Sequence, residues 1–123
     1  MSFTFAICNA TLPDDTEAAE EEVVRLREEP EPNPAVFNEL IDKLTARYPC
    51  ICDLPDDKVD EGVWSDGPLR RTSYRRAIVL GLSRKIEEVM PFVIKTATAL
   101  GLTVLDWQTG EIHRPKKRRG KRA

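Results

Sequence analysis

Two cysteines separated by a single residue, Cys50 and Cys52, are the side chains whose type would best suit a metal ion. Structural zinc sites usually use cysteine pairs separated by roughly two to four residues, together with a second pair of ligands. The spacing here is shorter, and the remaining cysteine, Cys8, and the lone His113 are distant in sequence. The pattern therefore predicts no metal site and no cofactor. We interpret both thiols as ordinary residues at the junction of a helix and a loop.

No combination of residues in the chain is typical of an enzyme. His113 is the only histidine, and no Gly-x-Ser-x-Gly nucleophile motif accompanies it. The six glycines are scattered, and none opens a helix in the pattern of a phosphate-binding loop. We therefore expect a binding protein and not an enzyme.

A long acidic segment between residues 50 and 67 offers carboxylates for a different kind of contact. Loops of this length in compact domains are often functional. The segment lacks the Asp-x-Asp-x-Asp-Gly pattern of a calcium loop, which leaves a solvated, solubilising loop or a docking surface for a basic protein. The carboxylates that would form such a surface are Asp53, Asp56, Asp57, Asp60, Glu61 and Asp66.

Two tryptophans, Trp64 and Trp107, are candidate anchors for the same partner. Tryptophan is enriched at the energetic centre of protein interfaces, but it is also a common core residue whose N–H group is satisfied internally. Trp64 lies close to Asp66, and Trp107 lies at the start of a predicted turn. We assign both to the predicted partner-binding surface, and a core position remains the alternative for each.

The net charge of −2 conceals two parts of opposite sign. Residues 1–113 carry 21 acidic and 12 basic side chains, hence a net charge of −9, whereas residues 114–123 carry seven bases and no acid. An acidic body repels nucleic acid and attracts basic protein surfaces. The basic tail could bind phosphates without sequence preference, aid solubility or fold back onto the body. Its candidate phosphate-binding residues are Lys116, Lys117, Arg118, Arg119, Lys121 and Arg122.

Hydrophobic periodicity predicts three helices and several short strands. The helices are expected over about residues 17–29, 34–47 and 84–99, and Pro91 should either kink the last one or mark its true start. The strands are expected over residues 2–8, 74–82 and 102–107, near Ile112, and for a short stretch around Val63 and Trp64. The continuous apolar run from Ala77 to Leu80 is typical of a central strand that is covered on both faces.

These elements predict a single α+β domain over residues 1–113 and a disordered basic tail over residues 114–123, in the order β-α-α-β-β-α-β-(β). One helix or a helix pair on one face of a mostly antiparallel sheet would bury the three apolar stripes. The odd cysteine count, an N-terminus unlike a signal peptide and the lack of a long apolar run predict a cytosolic protein that does not span a membrane.

Three short segments carry a resemblance to known proteins. The chain opens with Met1-Ser2-Phe3 in a short strand, carries Trp64-Ser65 before a long strand, and ends its body on the stretch from Gly101 to Gly110. In this layout it resembles small bacterial immunity proteins, which neutralise polymorphic or contact-dependent growth-inhibition toxins. The resemblance implies a cognate toxin as partner and, for a nuclease toxin, an acidic surface that covers a basic active site.

The sequence therefore predicts an immunity protein that occludes the active site of a cognate, basic toxin such as a nuclease. The alternative is a nucleic-acid-associated accessory protein that binds through residues 114–123.

Overall fold

A computed structural model describes residues 3–32, 35–49, 54–55, 57, 62–64 and 73–115 of the chain. The helices and strands found there are β1 (Phe3–Cys8), α1 (Thr16–Leu26), α2 (Ala35–Arg47), β2 (Ala77–Leu82), α3 (Ile86–Ala99), β3 (Thr103–Asp106) and β4 (Ile112–His113). The strands form one antiparallel sheet in the order β2-β1-β3-β4. The predicted α+β class, three helices on an antiparallel sheet, is confirmed. The short strand expected around Val63 is an isolated bridge between Trp64 and Leu82.

Both faces of the sheet are covered by helices. Phe5 and Ile7 of β1 belong to a large core shared with α2 and α3, whereas Ala6 and Cys8 belong to a smaller core shared with α1. This alternation follows the two-residue period of a strand. The prediction that the helices lie on one face is therefore wrong, because both sides of β1 carry apolar residues that must be shielded from water.

The helices meet the sheet through stripes of fully or nearly fully buried side chains. Burying one large apolar side chain contributes about 1.5–3 kcal/mol relative to leaving it in water. The buried side chains of α1 therefore hold this helix on the smaller core, and those of α2 and α3 hold these helices on the larger one. The buried residues are Ala19, Val23 and Leu26 of α1, Phe37, Leu40, Ile41 and Leu44 of α2, and Val89, Met90, Val93, Thr96 and Ala97 of α3.

The strand β2 lies at an edge of the sheet, and not at its centre as its apolar run predicted. Its two faces are nevertheless both covered, since Ile78 contributes to the larger core and Val79 packs against the smaller one. A continuous apolar run indicates that both faces of a strand are covered by other elements. An edge strand that lies between two layers of helices meets this condition as well as a central strand does. Part of the outer edge is closed by the Ser83 N–H group, which donates to the Val63 carbonyl at 2.8 Å.

The helix α1 begins one residue after its cap. The carboxylate of Asp15 accepts a hydrogen bond from the Ala18 N–H group at 2.9 Å, so Asp15 caps the helix. The helix ends at Leu26, three residues before the predicted end.

The helix α3 begins at Ile86 and continues through Pro91, so the proline does not mark its start. Lys85, the residue before the helix, has a left-handed backbone with φ of 57° and provides no side-chain cap. In the described part of the chain, no helix combines the length and the apolar character needed to cross a bilayer.

The end of the described chain is bound to the start of α1. The Arg114 guanidinium donates to the Leu12 carbonyl at 2.8 Å and to the Asp14 carboxylate at 2.7 Å. The Thr16 hydroxyl donates to the Gly110 carbonyl at 3.3 Å. Arg114, predicted to open the tail, is thus attached to the body, and the other six cations predicted for the tail lie outside the described residues.

Candidate protein-interaction surface

The predicted acidic loop contributes one described carboxylate to any interaction surface. Asp57 is exposed, as the sequence analysis expected for a docking residue. The other five predicted carboxylates, Asp53, Asp56, Asp60, Glu61 and Asp66, lie outside the described residues.

Trp64 is a core residue, and its assignment to the partner-binding surface is wrong. Its side chain is only 1% exposed and belongs to the larger core. Its indole N–H group donates to the backbone carbonyl of Tyr48 at 2.7 Å, so its polar atom is satisfied inside the protein. A partner cannot reach this ring without unfolding the core around it.

Trp107, in contrast, is partly exposed on the α1 side of the sheet. It packs against the smaller core, and its backbone N–H group donates to the Thr4 carbonyl at 3.2 Å. The turn after it is held by Asp106, whose carboxylate accepts from the N–H groups of Gln108 and Thr109 at 2.9 and 3.2 Å. The backbone at Trp107 is therefore held in place, and its partly exposed ring is accessible to a partner.

The outer side of α1 carries an acidic surface that the sequence analysis did not single out. We name it the α1 stripe and define it as Glu17, Glu20, Glu21 and Val24. Their spacing of three and four residues places them on one side of the helix, opposite the buried residues. Val24 is 51% exposed, and within the described residues none of the three carboxylates forms an ion pair. The same spacing was visible in the sequence and could have identified the surface.

A neighbouring carboxylate on α1 is neutralised and does not add to the stripe. Arg25 donates hydrogen bonds to Glu22, which lowers the pKa of the Glu22 carboxyl below its usual value. Arg25 also pairs with Glu29. Glu29 is also paired with Arg76 at 3.2 Å, so Glu22 and Glu29 are both neutralised, whereas the carboxylates of the stripe have no ion-pair partner among the described residues.

The opposite layer of the molecule has a different character. Lys43, Lys95 and Leu100 line an open groove of about 470 Å³ between α2 and α3. Beside it the Arg47 guanidinium lies 5.6 Å from the ring centre of Phe92. Cations thus border the groove on the α2–α3 side, and the carboxylates of the stripe lie on the α1 side.

The described cysteine and histidine show no arrangement suited to catalysis. Burial, with a smaller contribution from the charge of Glu22, raises the pKa of the Cys8 thiol from 9.0 to about 12. This thiol is therefore protonated and poorly nucleophilic at neutral pH. His113 lies 3.9 Å from the Glu111 carboxylate. Among the described residues, which exclude Cys50 and Cys52, no group of His, Cys, Asp and Glu side chains could hold a metal ion.

Comparison of the chain with protein-family models, with curated proteins and with solved structures finds no match.

Proposed function

We propose that this protein is an immunity-type inhibitor that neutralises a basic protein toxin, such as a nuclease, by covering the toxin's active site in the cytosol. It acts by binding and has no catalytic activity of its own. The α1 stripe is the observation that carries the proposal, because it combines unpaired negative charge with an exposed apolar side chain.

The charges of the stripe suit a basic partner. Glu17 lies three and four residues before Glu20 and Glu21, a spacing that places helix side chains about 5–6 Å apart at their Cβ atoms, so that their charges reinforce one another's potential. Opposite charges on two protein surfaces accelerate their encounter and disfavour partners of the wrong sign. The active site of a nuclease must attract phosphates, so an acidic surface can compete for the same cations.

Two apolar groups on the α1 side of the sheet supply the contacts that slow dissociation. Val24 is the large apolar side chain most exposed within the described residues, and Trp107 lies partly exposed on the same side of the sheet. A few buried apolar or aromatic anchors usually provide most of the binding energy of an interface, while surrounding charges provide specificity. The α1 side therefore offers both components of an inhibitory surface.

The proposal is tested by coexpression with the protein encoded by the neighbouring gene, the candidate toxin. We expect growth protection and copurification of the two chains. Val24→Lys should abolish both, because it removes the anchor and repels a basic partner. Ala46→Lys adds the same charge to an exposed position of α2 and serves as the matched control, which should still protect. A folded wild-type protein that neither protects nor copurifies contradicts the proposal.

A further inference from the structure

A small pocket lies at the end of the sheet on the α1 side, between the end of α1 and the turn after β3. Its volume is about 300 Å³, and Thr4, Arg27, Val79, Trp107 and Gln108 line it. This volume is at the lower end of the range for small-molecule sites. The residues come from β1, from the end of α1, from β2 and from the turn.

The pocket contains several hydrogen-bond donors that have no partner among the described residues. In the described part of the chain, neither the Arg27 guanidinium nor the Trp107 indole N–H group makes a hydrogen bond or ion pair. The Gln108 side-chain oxygen accepts from the Thr4 N–H group at 3.0 Å, and the Gln108 amide N–H groups have no partner in the part of the chain that the structure describes. Arginine and the indole N–H group can only donate.

The side of the pocket formed by Thr4 and the turn is fixed before any ligand arrives. Thr4 is tied to the turn twice, by its N–H group to the Gln108 side chain and by its carbonyl, which accepts from the Trp107 N–H group at 3.2 Å. Asp106 in turn accepts from the backbone N–H group of Gln108. A ligand therefore does not have to order these groups, which lowers the entropic cost of binding.

We propose that this pocket binds a carboxylate group carried on an aromatic or other apolar body. The carboxylate accepts hydrogen bonds from Arg27 and from the free N–H groups of Trp107 and Gln108. The planar guanidinium matches a carboxylate, which accepts two parallel hydrogen bonds from it. The apolar body of the ligand packs on Val79 and on the ring of Trp107.

The pocket shares Trp107 with the proposed inhibitory surface, but the inference rests on the donors of the pocket and not on the inhibitory function. The α1 stripe attracts cations, whereas the pocket attracts an anion. A carboxylate in the pocket could belong to a free ligand or to an acidic residue of a protein partner, and the experiment below tests the shared chemistry with a free probe.

Phenylacetate is a suitable probe, and the two tryptophans provide the readout. In proton–nitrogen NMR spectra of the full chain, the indole N–H resonance of Trp107 should shift with a dissociation constant on the order of millimolar. Trp64 serves as an internal reference, because its indole N–H group is buried and bonded to Tyr48. The neutral isostere phenylacetamide should bind far more weakly, and inorganic phosphate should also bind weakly because it lacks the apolar body.

Variants of Arg27 assign the interaction to the pocket. Arg27→Gln should weaken phenylacetate binding by about tenfold, the loss expected for a hydrogen bond to a charged group. Arg27→Lys keeps the charge without the planar fork and should give an intermediate loss. Arg84→Gln removes the same charge from another exposed site and is the matched control. Well-dispersed spectra of each variant show that it is folded.

Three results would overturn the proposal. The first is a Trp107 resonance that does not respond to phenylacetate, and the second is equal binding of phenylacetate and phenylacetamide. The third is an Arg27→Gln variant that binds as tightly as wild type. Phosphate binding as tight as that of phenylacetate would show a general anion site and reject the apolar part of the assignment.

Discussion

The side chain of Trp64 is held by two kinds of interaction. Its ring is enclosed in the larger core, and its N–H group donates to the Tyr48 carbonyl at the end of α2. The carbonyl belongs to a residue next to the last turn of a helix, where backbone acceptors need partners from outside the helix. Trp64 thus joins the bridge at the edge of β2 to the end of α2.

We expect Trp64→Ala to lower the free energy of unfolding by about 3–5 kcal/mol, the usual loss for a large buried aromatic residue. Trp64→Phe keeps most of the volume but removes the donor to Tyr48, and it should lower this free energy by about 1–3 kcal/mol. Trp107→Ala, at a half-buried position, is the comparison and should cost less than Trp64→Ala. Urea denaturation measures all three, and equal losses for both alanine variants would contradict the assignment of Trp64 to the core.

The buried thiol of Cys8 gives a second prediction at this scale. Its pKa is about 12 in the folded protein, against 9.0 without the fold. The contribution of this group to stability is complete below pH 9 and is lost as pH rises through the folded pKa, since only the unfolded thiol ionises in between. From about pH 8 to about pH 10, wild type should therefore lose about 1 kcal/mol more than Cys8→Ala. Identical pH dependence in denaturation experiments would show that Cys8 is accessible to water.

Residue type alone could not separate the roles of the two tryptophans. Trp64 and Trp107 each lie in or at the end of a predicted strand, and each has an aspartate within two residues. What distinguishes them is the Tyr48 carbonyl, which is 16 residues from Trp64 in sequence and close to it only in the fold. The acceptor of a buried indole is a tertiary contact and leaves no local pattern.

At the scale of elements, α1 has two sides with separate tasks. Ala19, Val23 and Leu26 bury one side on the smaller core, and the α1 stripe leaves the other side in water. Asp15 caps the start of the helix, and the Thr16 hydroxyl binds this end of the helix to the hairpin between β3 and β4. The fold therefore presents the stripe on a helix whose position is fixed.

Gly110 fixes the distance between this hairpin and α1. Its φ is +80°, and an added Cβ atom would lie 2.8 Å from the Thr16 methyl carbon. Gly101 has a similar φ of +83°, but a Cβ atom there would meet nothing within 4 Å. Gly101→Ala should therefore lose about 1–2 kcal/mol from backbone strain alone, and Gly110→Ala should lose more.

Thermal denaturation of the two alanine variants measures this difference. Adding Thr16→Ser to Gly110→Ala removes the clashing methyl group and should restore part of the loss. If Gly110→Ala is no less stable than Gly101→Ala, the close packing of the hairpin on α1 is refuted.

Periodicity predicted the elements better than their arrangement. The apolar spacing in α2 gave its end at Arg47, and the alternation in β1 gave the strand. The same patterns do not state which face of a sheet a helix covers, so α1 was placed with the other helices. They also do not distinguish an edge strand with two covered faces from a central one, as β2 shows.

At the scale of the whole molecule, charge differs between the body and the tail, and the acidic and basic surface groups described above lie in different places. The acidic stripe lies on the α1 side, the cations that border the groove lie on the α2–α3 side, and six further cations follow Pro115. The sequence revealed the difference between body and tail because charge counts need no fold. It could not reveal the pocket that we propose to bind a carboxylate, because the residues of this pocket come from four separate segments.

Removal of residues 116–123 separates the proposed function from the alternative. The described contacts of Arg114 with Leu12 and Asp14 remain, so the free energy of unfolding should change by less than about 0.5 kcal/mol. Toxin inhibition should persist, while any binding of nucleic acid in low-salt gel shifts should disappear. Loss of toxin inhibition on truncation would contradict the role of the α1 stripe and assign the inhibition to the tail.

The most direct measurement is the association rate with the toxin, compared between two variants of equal net charge. Glu20→Gln with Glu21→Gln neutralises two positions of the stripe, and Glu39→Gln with Glu87→Gln neutralises two exposed positions of the opposite layer. The stripe variant should associate about tenfold more slowly at low salt, with a smaller difference at high salt, and the control should keep nearly the wild-type rate. Equal slowing of both variants, or no slowing of either, would contradict a specific role for the α1 stripe.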